Sequence, residues 1–225
     1  RLAREAGKRI HVLHISTAQE IDFLEQHKDV ASVEITPQHL TLEAPEAYER
    51  LKAYAQMNPP IRGHEHRMGL WRGIAQGVAD VLGSDHAPHT IEEKDRPYPQ
   101  SPSGMPGVQT LLPLMLNHVA EGRLSLERLV DLTSHGPQRI FGLAGKGRIA
   151  NGYDADVTLV DLDAEREITE DWLASKCGWS PFTGERVKGW PVGTIVRGTA
   201  VMREGELTRP STGQACRFVE TLGAV

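Results

Sequence analysis

The sequence predicts an α/β fold: parallel strands joined by crossover helices, followed by a β-rich C-terminal stretch. Three observations predict it. Short apolar runs alternate with segments of helical period over the first 85 residues. Three of these runs end in residues that can do chemistry: His14, the pair Gln38 and His39, and Asp85. After Gly145 the texture changes to glycine-punctuated alternation, the mark of antiparallel strands.

The chain opens on "RLAREAGKRI", a helical pattern with Leu2, Ala3 and Ala6 on one face and Gly7 as its stop. "IHVLHIS" (10–16) predicts a buried strand. "TAQEIDFLEQH" (17–27) predicts a helix capped by Thr17, with Glu20 three residues on completing a capping box. "ASVEITP" (31–37) predicts a second strand, stopped by Pro37. A long loop containing "MNPPIR" (57–62) leads to a helix over 65–77, with Met68, Trp71, Ile74 and Ala75 on its packing stripe. "ADVLGSD" (79–85) predicts the third strand, and a polar loop follows as far as Met105. A helix over 107–122 is expected to kink at Pro113. Two shorter helices are expected in 125–143, broken around Ser134 to Pro137. A boundary near 145 separates a first domain, 1–145, from a β-rich segment, 146–225.

The totals exclude several classes. The net charge is −5, with Lys and Arg mixed among acids, which argues against a nucleic-acid footprint. No apolar run approaches the ~18 residues of a membrane helix. Cys177 and Cys216 lie far apart in no metal spacing and fit reduced cytoplasmic thiols better than a disulfide framework. The chain lacks an initiator Met and opens inside a helical pattern, so a fragment is expected.

Active sites of parallel α/β folds collect at the carboxyl ends of the strands. An imidazole and a carboxylate there, His14 and Asp85, are a ligand pair suited to Zn²⁺. Two ligands also fit a blander reading, with a hydrogen-bonded histidine and an aspartate capping a turn. Spacing alone leaves both open. Strand alternation puts His14 on the face of Val12 and Ser16, and turns His11 and His86 away, toward packing or surface roles.

"HVLHIST", "VEITPQHL", "MNPPIR", "GSDHAPHT" and "SGMPGVQT", in this order, resemble the dihydroorotases of the amidohydrolase superfamily. "GRIANGYDADVTLVDLD" is similar to that superfamily's return into a small β-sandwich, and "GWSPFTGERVKGWPVGTIVRG" to the family's C-terminal segment. The resemblance covers nearly the whole chain. It implies the C-terminal part of a (β/α)₈ barrel, about strands six to eight, plus part of the sandwich. It implies a pyrimidine-biosynthetic hydrolase interconverting dihydroorotate and N-carbamoyl-aspartate with one or two Zn²⁺ ions. His14 and Asp85 match metal ligands, and Asp85 also matches the proton shuttle. Asn58, His89, Ser103 and Gly104 match substrate-binding positions, the last two through backbone groups. His39 matches no ligand of the family.

The resemblance also has gaps. The family's His-x-His of strand one, the bridging carboxylated Lys or Asp of strand four and the His of strand five have no counterpart here. "HEH" (64–66) has the spacing of the first but opens a helix. Two of the metal ligands are therefore expected in this chain, which alone is expected to be inactive, to bind zinc poorly and to aggregate through exposed strand edges. Two alternatives stand beside the main reading. One is an allantoinase or hydantoinase, relatives that typically carry another residue where this chain has His89. The other is a non-catalytic subunit that scaffolds a carbamoyltransferase, against which the retained His14, Asn58, Asp85 and His89 argue. A homodimer or a carbamoyltransferase complex is the expected assembly.

Overall fold

The computed structural model describes residues 1–208 and 213–219. They form two compact units. The first comprises residues 1–114 with 167–186, and the second 115–166 with the described residues from 187 onward.

In the first unit α1 (Leu2–Glu5) leads to β1 (Ile10–Val12), α2 (Ala18–Glu25) and β2 (Ala31–Ile35). Two short helices, α3 (Pro37–Thr41) and α4 (Glu46–Leu51), precede the longer α5 (His64–Ala75) and then β3 (Val81–Leu82). The three strands form one parallel sheet in the order β1-β2-β3. The crossover helices that parallel pairing requires are those the sequence predicts.

Thr17 caps α2 as expected. Its hydroxyl accepts from the Glu20 amide, and the Glu20 carboxylate accepts from the Thr17 amide. Helix α5 buries Gly69, Leu70, Trp71, Gly73 and Ile74, while Met68 and Ala75 of the expected stripe are exposed. The reason is the close approach of α2. A β-carbon on Gly69 would lie 2.4 Å from the Ala18 β-carbon, and one on Gly73 2.8 Å from Ile21.

The strands are shorter than the apolar runs. β1 stops at Val12 because the backbone turns left-handed at His14 (φ 38°), and β3 stops at Leu82 before a second such turn at Asp85 (φ 42°). The face shared by Val12, His14 and Ser16 is therefore not realised. Pro37 ends no strand; it sits in the first turn of α3 behind the Thr36 cap, where a missing N–H costs nothing. The long loop expected after β2 thus contains α3 and α4. Ile10 and Leu13 at the β1 edge are exposed as expected, whereas Val81 and Leu82 of β3 are buried.

After β3 a four-residue helix, α6 (Ile91–Lys94), interrupts the polar loop, capped by Thr90 and Glu93. Helix α7 (Leu111–Ala120) holds Pro113 in its first turn rather than at a kink. Helices α8 (Leu126–Val130) and α9 (Gly136–Phe141) are not separated by a break; a wide helical turn, Asp131–His135, runs between them. The sheet that follows is four-stranded, in the order β4 (Val157–Glu167), β5 (Arg186–Val196), β6 (Thr199–Arg203) and β7 (Glu206–Leu207). β5, β6 and β7 pair antiparallel through two-residue turns. Among the described residues no helix is long and apolar enough to cross a membrane.

Candidate active site

Two of the candidate residues, His14 and Asp85, lie just past the carboxyl ends of β1 and β3. β1 and β3 flank β2, so their ends lie about 10 Å apart. The left-handed turns at His14 and Asp85 redirect the chain there, each at a cost of roughly 1–2 kcal/mol for a non-glycine residue. Neighbouring side chains hold both turns. The Glu34 carboxylate, from β2, accepts from the His14 amide at 3.3 Å and packs against Gly83, two residues before Asp85. The Gln38 amide donates to the Ser84 carbonyl at 2.7 Å, fixing the peptide that leads into Asp85. His14 Nδ1 is buried and has no hydrogen-bond partner.

His39 sits between these two residues and the next candidate. Its Nε2 donates to the Pro59 carbonyl at 3.0 Å, which leaves Nδ1 to accept from the Thr36 hydroxyl at 2.7 Å. Burial pulls its pKa below the usual histidine value. The Pro59 carbonyl opposes that shift, the charge of His14 adds to it, Asp85 opposes it, and Arg62 adds to it. With both nitrogens engaged, His39 positions its neighbours: it ties the β2 end to Pro59, next to Asn58.

Asn58 and Ser103 line one cavity of about 950 Å³, together with Tyr48, Lys52, Gln56 and Arg96. His89 joins this group through Nε2, which donates to the Ser103 carbonyl at 3.1 Å; its Nδ1 lies 3.4 Å from Glu93. Gly104 (φ 134°) is confined by Ala87, whose carbonyl would lie 2.7 Å from a β-carbon there. The Gly104 amide donates to Gln56 O, and the Gly104 carbonyl accepts from Lys94. The backbone contacts expected of Ser103 and Gly104 are thus largely spent on the loop itself.

The structure brings the candidates into two neighbouring clusters. His14 and Asp85 act on His39, whereas Asn58 and Ser103 line the cavity, with His89 bonded to Ser103 and Gly104 next to it in the chain. His64 and His66 join neither. His64 pairs with Glu43, and His66 Nδ1 accepts from the Ala18 amide at the start of α2. His86 Nδ1 accepts from the Gly107 amide, and His11 bonds Ser32. Among the described residues no group of three or more His, Cys, Asp and Glu is gathered closely enough to hold a metal ion. Sequence reasoning missed Glu34, Gln56 and Lys94. Only Glu34 left a signal, an acid inside an otherwise buried apolar strand.

A model of the amidohydrolase family matches residues 2–201. The chain belongs to the amidohydrolase family. A dihydroorotase of Halobacterium salinarum is 45% identical over 197 residues, and one of Halalkalibacterium halodurans is 41% identical over 212. Those alignments cover 88% and 92% of this chain but 46% and 49% of the relatives, so this amidohydrolase chain spans about half the length of the curated relatives it matches. Among solved structures, L-hydantoinase of Arthrobacter aurescens superposes with a TM-score of 0.89 at 36% identity, covering 92% of this chain and 48% of that one. Dihydropyrimidinase of Brevibacillus agri gives 0.85 at 27%, with 92% and 47% covered. The fold is thus that of the amidohydrolases, with mixed α and β structure.

Proposed function

We propose that this amidohydrolase chain carries one part of a dihydroorotase, which interconverts dihydroorotate and N-carbamoyl-aspartate. The observation that carries the reading is 38–45% identity to several relatives named dihydroorotase across most of the chain. The motif "DHAPH", with His89 in it, favours dihydroorotase over the hydantoinases that superpose on the chain. The parallel sheet is about strands six to eight of a (β/α)₈ barrel. Residues 1–145 belong to the barrel and 146–225 to the small sandwich domain.

His14 and Asp85 would hold zinc. A buried, unpartnered imidazole nitrogen and a carboxylate, just past the ends of the two strands that flank β2, are a donor set this metal accepts. Zinc when bound polarises a carbonyl and lowers the pKa of water. A catalytic zinc needs at least three protein ligands, so the activity belongs to an assembly in which further polypeptide supplies the rest.

The chain's own residues have definite work in the hydrolytic direction. The Asp85 carboxylate takes the proton of the attacking water as its oxygen adds to the ring carbonyl carbon. It then gives that proton to the ring nitrogen as the C–N bond breaks, acting as general base and then acid. Asn58, His89 and the Ser103–Gly104 loop orient the ring and its carboxylate. Glu34, Gln38 and His39 keep Asp85 and His14 in place. The complete enzyme works in the cytoplasm as a homodimer or with a carbamoyltransferase.

The test is a substrate panel on the chain completed to the length of its relatives, with added Zn²⁺. Turnover of dihydroorotate well above that of hydantoin and allantoin is expected. Preference for either of the others transfers the proposal to that activity, and no turnover of any favours a non-catalytic subunit.

A further inference from the structure

Lys94 is fully buried, with no exposed surface. An ammonium in that position is costly, and burial pulls its pKa down to about 8. Its hydrogen-bond partners are neutral: Nζ donates to the carbonyls of Pro102 (2.9 Å), Gly104 (3.1 Å) and Gln56 (3.3 Å). Three donors meet three acceptors, the full capacity of an ammonium. The Trp179 ring, 5.8 Å from Nζ, closes the pocket on another side.

The three carbonyls come from two segments that the rest of the network also joins. The Gly104 amide donates to Gln56 O, which therefore accepts twice. The Gln56 side chain donates to Ser101 O and to the Ser103 hydroxyl. Ser101 Oγ donates back to the Lys94 carbonyl, and Trp179 Nε1 donates to the carbonyl of His89. A methionine would fill the same stem but could bond none of the carbonyls. The network reaches the cavity through Gln56 and Ser103, both of which line it beside Asn58.

We propose that Lys94 is a positioning residue: its three N–H groups tie the Pro102 and Gly104 carbonyls to that of Gln56, two residues before Asn58, and so fix Asn58, Ser103 and Gly104 as one substrate-facing surface. That this surface faces dihydroorotate rests on the function proposed above; the tie itself does not.

Amide exchange on the chain completed to the length of its relatives tests the tie. In Lys94→Met the Gly104 amide should exchange at least about tenfold faster than in the parent, while amides of α5 keep their rates. Unchanged protection of Gly104 overturns the proposal, as does a uniform loss of protection across the first unit in a variant that still folds. If Lys94→Met does not fold, Lys94→Gln, which keeps two N–H donors without the charge, should give intermediate protection at Gly104, and parental protection overturns the proposal. If neither folds, denaturant-dependent exchange of the parent chain decides. Gly104 must open together with the Lys94 and Asp95 amides of the α6 turn, and separate opening refutes the tie. In the completed enzyme, Lys94→Gln should raise KM for dihydroorotate about tenfold with kcat within about threefold and zinc content unchanged. Loss of zinc or of kcat alone overturns the positioning role. Absence of dihydroorotate turnover in the parent refutes the functional reading and leaves the exchange result standing.

Discussion

His14 and Asp85 in one region, and Arg197 and Glu204 in another, share a left-handed backbone and differ in what requires it. Arg197 with Gly198, and Glu204 with Gly205, are the central pairs of two-residue turns joining β5 to β6 and β6 to β7. Positive φ at both positions is the turn whose twist matches the strands it connects. The conformation there belongs to the hairpin, and any residue tolerant of it would serve. His14 and Asp85 join no hairpin. Their turns occur where parallel strands end, and Glu34 and Gln38 hold them from the neighbouring β2 end. The same strain is therefore structural in one place and, on the proposed function, directed at a site in the other.

An acid-to-asparagine change at each place separates the two cases. Asn accepts the left-handed conformation as well as Asp does. Asp85→Asn should leave the fold intact and remove the proton shuttle, lowering dihydroorotate turnover of the completed enzyme by roughly 10²–10⁴. Circular dichroism and a steady-state assay read the two effects. A variant keeping more than about a tenth of parental turnover would erase the distinction between the regions, because Asp85 would then be one more turn residue.

Acid should also distinguish them, through different groups at different pH. His39 has a pKa below 6.5 in the folded chain, with burial as the main cause. As pH falls below 6.5 the unfolded chain binds a proton that the folded chain refuses, so stability present above 6.5 is lost as pH falls through the folded value. In the β-rich segment the carboxyls of Asp154 and Asp156 are held low, first by hydrogen bonds from Lys146. Their contribution is present above 3.8 and is lost only as pH falls below it. Urea midpoints at pH 7.5 and 5.5 should fall more in the parent than in His39→Gln. Equal falls would mean that His39 takes up its proton without strain.

The two regions also differ in how far they were legible. The capping box at Thr17 and Glu20, the order of strands and helices and the hairpin texture after Gly145 rest on local rules, and the chain displays them. The length of β1 does not. Nothing in the alternation of "IHVLHIS" marks the turn at His14, because the side chain that holds it, Glu34, lies twenty residues on. Thr36-Pro37 is as good a helix start as a strand stop, and the buried neighbours of α3 decide between them. Lys94 reads as one charge in a polar loop until the Gln56 and Gly104 carbonyls close around it. His14, Gln38, His39 and Asp85 stood out by their places at strand ends, Asn58, His89, Ser103 and Gly104 as candidates through resemblance alone, whereas the parts of Glu34 and Lys94 required the fold.

The smallest expected effect lies in the hairpin between β6 and β7. Glu204 is exposed, and its pairing with Arg166 at 3.8 Å across solvent contributes little. Its φ of 50° suits Asn better than Glu, and Asn before Gly205 is the favoured pair for this turn. Glu204→Asn should therefore stabilise the chain by about 0.5–1 kcal/mol, a rise of about 2–4 °C or less in the melting temperature. Dihydroorotate turnover of the completed enzyme should not change, since no candidate site residue lies in this turn. The result would be the mirror image of Asp85→Asn, with stability gained and chemistry untouched. A fall in melting temperature would show that the Glu204 side chain, rather than its backbone, holds the hairpin, and the contrast with the strand-end residues would then rest on Arg197 alone.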